Sequence, residues 1–201
     1  ISSVASAAHA VPVSQPRVSG PIKVLAIGDS LTDIDNNNTY TGMYQIGAGG
    51  YNWTNMLSEK GNFQVQKIAN YGNTAPQTKA LFDTMYTWQA VPDFVTILLG
   101  SNEAIDQPAG AGRYNLVAYE NAYKSMLDAV WAKNNNTTVI MMKIPKLDPN
   151  KFPGTSWRVD TINQKIQEMY ESDRQQGKHV VLIDVHSQIT SQQQMFDPDG
   201  V

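Results

Sequence analysis

Three short stretches carry residue types suited to acyl transfer: Gly28-Asp29-Ser30 in "VLAIGDSLTD", the turn "IANYGNTAPQT" from Ile68 to Thr78, and Gly100-Ser101-Asn102-Glu103 closing "DFVTILLGSNE". A serine hydroxyl is a poor nucleophile until a base takes its proton, and the oxyanion that attack creates needs preorganised donors. Ser30 supplies the hydroxyl. Asn102 offers a neutral amide donor that brings no charge to the site, and the turn after Ile68 offers backbone N–H groups. A helix starting soon after Ser30 would add positive potential from its free N–H groups.

Each stretch follows an apolar run. Ile22–Gly28, Phe63–Ala69, Asp93–Gly100, Thr137–Ile144 and Lys178–Val185 are short and β-branched, as expected of strands covered on both faces. Between them, Leu116, Tyr119, Tyr123, Met126 and Val130 step by three or four, as do Val159, Ile162, Ile166 and Met169. Shorter helices are expected around Tyr51–Lys60 and Ala75–Gln89. This alternation predicts a three-layer α/β/α, flavodoxin-like domain over residues 21–201, with about five mostly parallel strands, behind an extended Pro-rich tail over residues 1–20. Ligands of such sheets bind beyond the carboxyl ends of the strands, where Ser30 and Asn102 converge.

Composition removes several alternatives. With 201 residues and a net charge of -3, the chain buries a core without covalent staples and shows no basic stripe for nucleic acid. No apolar run reaches the length of a membrane span. Without cysteine there is no disulfide, thiolate chemistry or Cys-ligated zinc. Asp33, Asp35 and the Asn run at 36–38 lack the loop glycine and distal Glu of a calcium loop, and the Gly-rich segment at Gly47–Gly50 lacks a phosphate-loop lysine. Neither a metal nor a cofactor is expected. The lipase elbow Gly-x-Ser-x-Gly is absent because residue 32 is Thr.

"GDSLTD" closely resembles the first block of the SGNH hydrolases, also called GDSL esterases and lipases. The resemblance implies a serine esterase working through an acyl-enzyme, with Ser30 as nucleophile and its own N–H as one oxyanion donor. "GSNE" is similar to the family's Gly-x-Asn-Asp, which makes Asn102 the second donor, with Glu103 a conservative departure from aspartate. "NYGNTA" is similar to the family's Asn-x-Gly-x-x-Gly and places Ala75 where the donating glycine belongs, with Gly72 as the fallback if a positive φ is required. The family's Asp-x-x-His motif begins at Asp199 in "DPDGV", so Asp199 orients a histidine base that would be residue 202, in a C-terminal segment beyond Val201. The 201 residues alone are expected to be nearly inert. A natural terminus would instead make a catalytically inactive binding or assembly module. A third possibility is His186 as base, although "LIDVHSQ" reads more simply as a loop; His179 and His9 are not credible bases.

The expected substrate is a small-molecule or polysaccharide ester, with carbohydrate acetyl esters favoured. Asp29, Tyr40 and Tyr44 are assigned to substrate binding, and Tyr51 and Trp53 add aromatic faces suited to a sugar or acyl group. Ala8-His9-Ala10 resembles the end of a signal peptide, and sequons at Asn37, Asn52, Asn135 and Asn136 are compatible with export. A missing terminal helix would leave an apolar strip of the sheet uncovered.

Overall fold

The computed structural model describes residues 20–33, 53–86, 91–106 and 110–188. Tyr40, Tyr44, Tyr51, Asp199 and His9, together with the Asn- and Gly-rich stretches at 35–38 and 47–50, lie outside these residues.

Five parallel strands form one sheet: β1 (Ile22–Gly28), β2 (Phe63–Ala69), β3 (Phe94–Leu98), β4 (Thr138–Met142) and β5 (Val180–Ile183), in the order β2-β1-β3-β4-β5. Helices α1 (Trp53–Glu59), α2 (Ala75–Met85), α4 (Leu116–Lys133) and α5 (Ser156–Gln175) make the crossovers. Two short helices, α3 (Ser101–Ile105) and α6 (Val185–Gln188), were not foreseen from periodicity. Each spans too few residues to display a hydrophobic period.

Chain direction explains the layers. The step from β1 to β2 moves one way across the sheet and every later step moves the other way, so right-handed crossovers put α1 on one face and α2, α4 and α5 on the other. Packing agrees: α2 contacts α4, α4 contacts α5, and α1 lies against β2. The core fills the α2/α4/α5 face, where Phe82, Tyr119, Tyr123, Met126, Val159, Ile162 and Ile166 cover Ile27, Val95, Ile97 and Met141.

Burial on both faces applies to β1 and β3 but not to the edges. Val24 to Gly28 are all buried, whereas β2 and β5 alternate between more and less covered positions along their length. Interior β4 alternates as well, so period-two alternation marks every strand whose second face is only partly covered, the two edges included. On β5, Val180 and Leu182 pack against the core while Val181 and Ile183 remain 46% and 39% exposed. Among the described residues, no helix is long and apolar enough to cross a membrane.

Candidate active site

Register brings the motif-bearing ends together. Gly28 of β1 is paired with Ala69 of β2 on one side and with Leu98 of β3 on the other, so the three adjacent strands finish at one level. The loops carrying Ser30, Gly72 and Asn102 leave from there. This is the switch point of the sheet, where chain progress reverses and the loops diverge to leave a crevice.

After β1 the chain folds back sharply. The Thr32 and Asp33 N–H groups both donate to the Asp29 carbonyl, at 3.0 and 2.9 Å, which raises Ser30 to the outside of the turn in a half-buried position. Gly28 is required because a Cβ there would meet the Thr32 Oγ1 at 2.1 Å. The Asp29 carboxylate completes the turn by accepting from the Leu31 N–H at 3.0 Å. Its substrate-binding assignment is therefore corrected: Asp29 is 0% exposed and builds the turn from beneath. Beyond Asp33 the described residues resume at Trp53, which opens α1 packed on β2.

After β3, Gly100 adopts φ 130 and acts as N-cap of α3. A Cβ at this glycine would meet Ile162 Cγ2 at 2.7 Å and Ile144 Cγ2 at 3.3 Å. Neither neighbour can retreat easily. Asn163 pins Ile144 by accepting from its N–H at 2.8 Å and donating to its carbonyl at 3.0 Å, and Ile162 is itself fully buried. Gly100→Ala is accordingly expected to cost about 1–3 kcal/mol from overpacking, with unfavourable φ added, measured by urea unfolding. The same glycine lets α3 start abruptly, with Asn102 at its second position and the Asn102 amide donating to the Asn73 carbonyl at 3.0 Å.

After β2, the Asn73 N–H donates to the Asn70 carbonyl at 3.2 Å and closes a tight turn in which Gly72 has φ 72. A side chain disfavours that left-handed region, so glycine belongs there. The Arg113 guanidinium donates to the Gly72 carbonyl, and the backbone N–H of Arg113 donates to Asp106 Oδ1 at 2.7 Å. The turn leads into α2, whose N-cap Thr74 donates its N–H to Gln77 Oε1 at 2.9 Å.

Hydrogen-bond bookkeeping separates the available donors from the occupied ones. Among the described residues, no group accepts from the N–H of Ser30 or of Gly72, and the Asn102 amide keeps a second N–H beyond the one given to Asn73. The Ala75 N–H, by contrast, donates to the Glu103 carboxylate, so the expectation that Ala75 faces an oxyanion is corrected. Gly72 takes its place as the available donor. Glu103 is also more than a conservative bystander: it is 1% exposed and directly bridges α3 to the start of α2.

His186 sits on α6 after the edge strand, with Nε2 4.0 Å from Asp160 Oδ1. Three strand spacings separate β5 from β1, about 14 Å, so its surroundings are those of α5 and not of Ser30. His179 precedes β5 and is at the opposite end of the sheet from the site. Trp53 opens α1, half-buried.

The sequence model of the GDSL-like lipase/acylhydrolase family matches residues 26–201. The chain belongs to that family. It is an ester hydrolase by membership, and its fold is that of solved members and relatives. A lipase/acylhydrolase from Enterococcus faecalis is similar with a TM-score of 0.62 at 18% identity, covering 89% of this chain and 85% of that one. An α/β hydrolase enzyme from the metagenome of Lake Arreo gives 0.61 at 20% identity, covering 90% and 87%. A catalytic mutant of an acetylxylan esterase from Geobacillus stearothermophilus gives 0.59 at 20% identity, covering 84% and 78%. No curated protein matches the sequence.

Proposed function

We propose that this protein is a serine esterase in which Ser30 is the nucleophile and the N–H groups of Ser30 and Gly72, with the Asn102 amide, hold the oxyanion. One observation carries the reading: two uncommitted backbone N–H groups and a side-chain amide sit on the ends of three strands paired in register, beside a half-buried serine. Donors of this kind stabilise charge that appears only in the transition state.

In the proposed reaction Ser30 Oγ attacks the ester carbonyl while its proton passes to a histidine base. The tetrahedral intermediate collapses as that base protonates the departing alcohol. Water, deprotonated by the same base, then attacks the acyl-serine and releases the carboxylic acid and free Ser30. Asp199 is assigned to orienting the base. Catalytic mutants of the Geobacillus esterase replace an aspartate and a histidine three residues further on, and Asp199 is assigned the place of that aspartate. His186 is not needed for this role. The catalytic domain is taken as residues 21–201, in an exported protein.

The substrate proposed is an acetylated carbohydrate. Support comes from the acetylxylan esterase among the similar structures and from aromatic groups next to the oxyanion turn. Arg113 holds Gly72, and the following residue, Tyr114, packs edge-on against Trp157 with ring centroids 5.1 Å apart. Trp157 is 55% exposed, and the Arg158 guanidinium lies 5.3 and 5.4 Å from the two rings. Such faces suit the C–H side of a sugar ring. An inactive binding module is disfavoured because it has no use for unpaired donors beside a serine.

The direct test is covalent capture. Incubating the full-length protein with a fluorophosphonate is expected to add one phosphonyl group to the peptide containing Ser30, read by mass spectrometry. Labelling of any other residue with Ser30 unmodified would overturn the assignment.

A further inference from the structure

The reaction outlined above uses neither Asp29 nor Glu103, yet both carboxyl groups are enclosed directly beneath it, 0% and 1% exposed. Each precedes or follows a proposed site residue by one position: Asp29 before Ser30, Glu103 after Asn102. Each has one oxygen satisfied by a backbone N–H, from Leu31 and from Ala75 respectively. The second oxygens, Asp29 Oδ2 and Glu103 Oε2, are buried with no partner. A buried carboxylate with an unsatisfied oxygen is costly, and a proton on that oxygen both removes charge and makes it a donor.

We propose that Glu103 is a positioning residue of the oxyanion site, gripping the Ala75 N–H so that the Gly72–Asn73 turn meets Asn102, and that it does so while its buried, unpartnered Oε2 carries a proton. The inference rests on the oxyanion reading given above. Three loops depend on this pair. Asp29 shapes the Ser30 turn, and Glu103 fixes the first turn of α2 relative to α3. The Asn102 amide closes the circuit on Asn73.

Burial pushes both carboxyl groups up to about 7; Leu31 and Ala75 oppose this through their N–H groups, and the Asp29 charge adds to the rise at Glu103. The other titratable groups coupled to the pair are Arg113, which favours ionised Glu103, and Tyr119 on α4, whose hydroxyl donates to the Leu99 carbonyl at 3.1 Å and is held protonated by burial. The sign for stability follows from proton counts. These carboxyls bind more protons folded than unfolded between about pH 4 and pH 7, so their contribution falls as pH rises through that window and is level above it. Ionisation of Glu103 leaves a buried charge with an unpartnered oxygen, raised further by the Asp29 charge, and loosens the grip on the Ala75 N–H.

The test compares wild type, Glu103→Gln, Glu103→Ala, Asp29→Asn and Asn102→Ala in the full-length protein, using 4-nitrophenyl acetate from about pH 5 to 9 and thermal unfolding in parallel. Wild-type kcat is expected to decline on the alkaline side. Glu103→Gln, which keeps an acceptor for Ala75 but cannot ionise, should lower kcat severalfold and remove that decline. Glu103→Ala should lower kcat roughly tenfold or more with KM little changed, because the turn is misplaced while substrate binding persists. An alkaline decline that persists unaltered in Glu103→Gln, or one absent from wild type, would overturn the proposal even if the alanine variant does not fold. If Asn102→Ala retains full activity, the oxyanion reading itself fails; if Asn102→Ala is impaired and the glutamine variant titrates like wild type, only the role of Glu103 fails.

Discussion

Ser30→Ala is expected to lower kcat for ester hydrolysis by on the order of 10^4 or more in the full-length protein, while thermal stability stays close to that of wild type. On the proposed mechanism the loss is large because the hydroxyl forms the bond that divides hydrolysis into two easier steps. Stability is spared for a local reason. The turn is held by the Thr32 and Asp33 N–H groups on the Asp29 carbonyl and by the Asp29 carboxylate, none of which involves the serine side chain. The backbone N–H of residue 30 also survives the substitution, so part of the oxyanion stabilisation remains. A variant that hydrolyses 4-nitrophenyl acetate within tenfold of wild type would place the nucleophile elsewhere.

Asn102→Ala ranks second, with kcat expected to fall about 10²–10³-fold, or about 3–4 kcal/mol of transition-state stabilisation. On the proposed reading the amide has two tasks, and the alanine variant removes both. One N–H donates to the Asn73 carbonyl at 3.0 Å and braces the glycine turn; the other is free for the developing oxyanion. Asn102→Asp distinguishes these tasks from simple loss of volume. It keeps the shape but places a carboxylate against a carbonyl and a developing negative charge, so it should be at least as impaired as alanine. Measured by kcat at saturating substrate, with KM changing far less, the effect identifies an interaction made mainly in the transition state.

Legibility varied with how local the determining forces are. Strands β1 and β2 lie within the expected bounds because their apolar patterns end in glycine or small residues. The α4 and α5 periods were equally plain, since each buries one continuous stripe. By contrast, α3 was invisible: five residues begin a helix there only because Gly100 takes a φ of 130 and fits beneath Ile162. Edge exposure in β2 and β5 was missed too, since lateral order in the sheet is a property of topology and not of any one strand's composition.

The site shows the same division. The residues at the ends of β1 and β3 were readable from type and spacing, because a serine after a buried strand and an asparagine after another are confined to the sheet's carboxyl edge once the alternation of elements is recognised. Which donors remain free was settled only in three dimensions. Ala75 and Gly72 are three residues apart in one turn, and sequence cannot say that a glutamate 28 positions beyond Ala75 reaches back to occupy its N–H and leave that of Gly72 open. Nor can it say that Asp29 faces inward while its neighbour Ser30 faces out. The amino-acid order alone determined the layered fold, the place of the Ser30 loop at the sheet's carboxyl edge and the family; the tertiary structure decided burial and hydrogen-bond occupancy, because both are set by neighbours that only folding brings within reach.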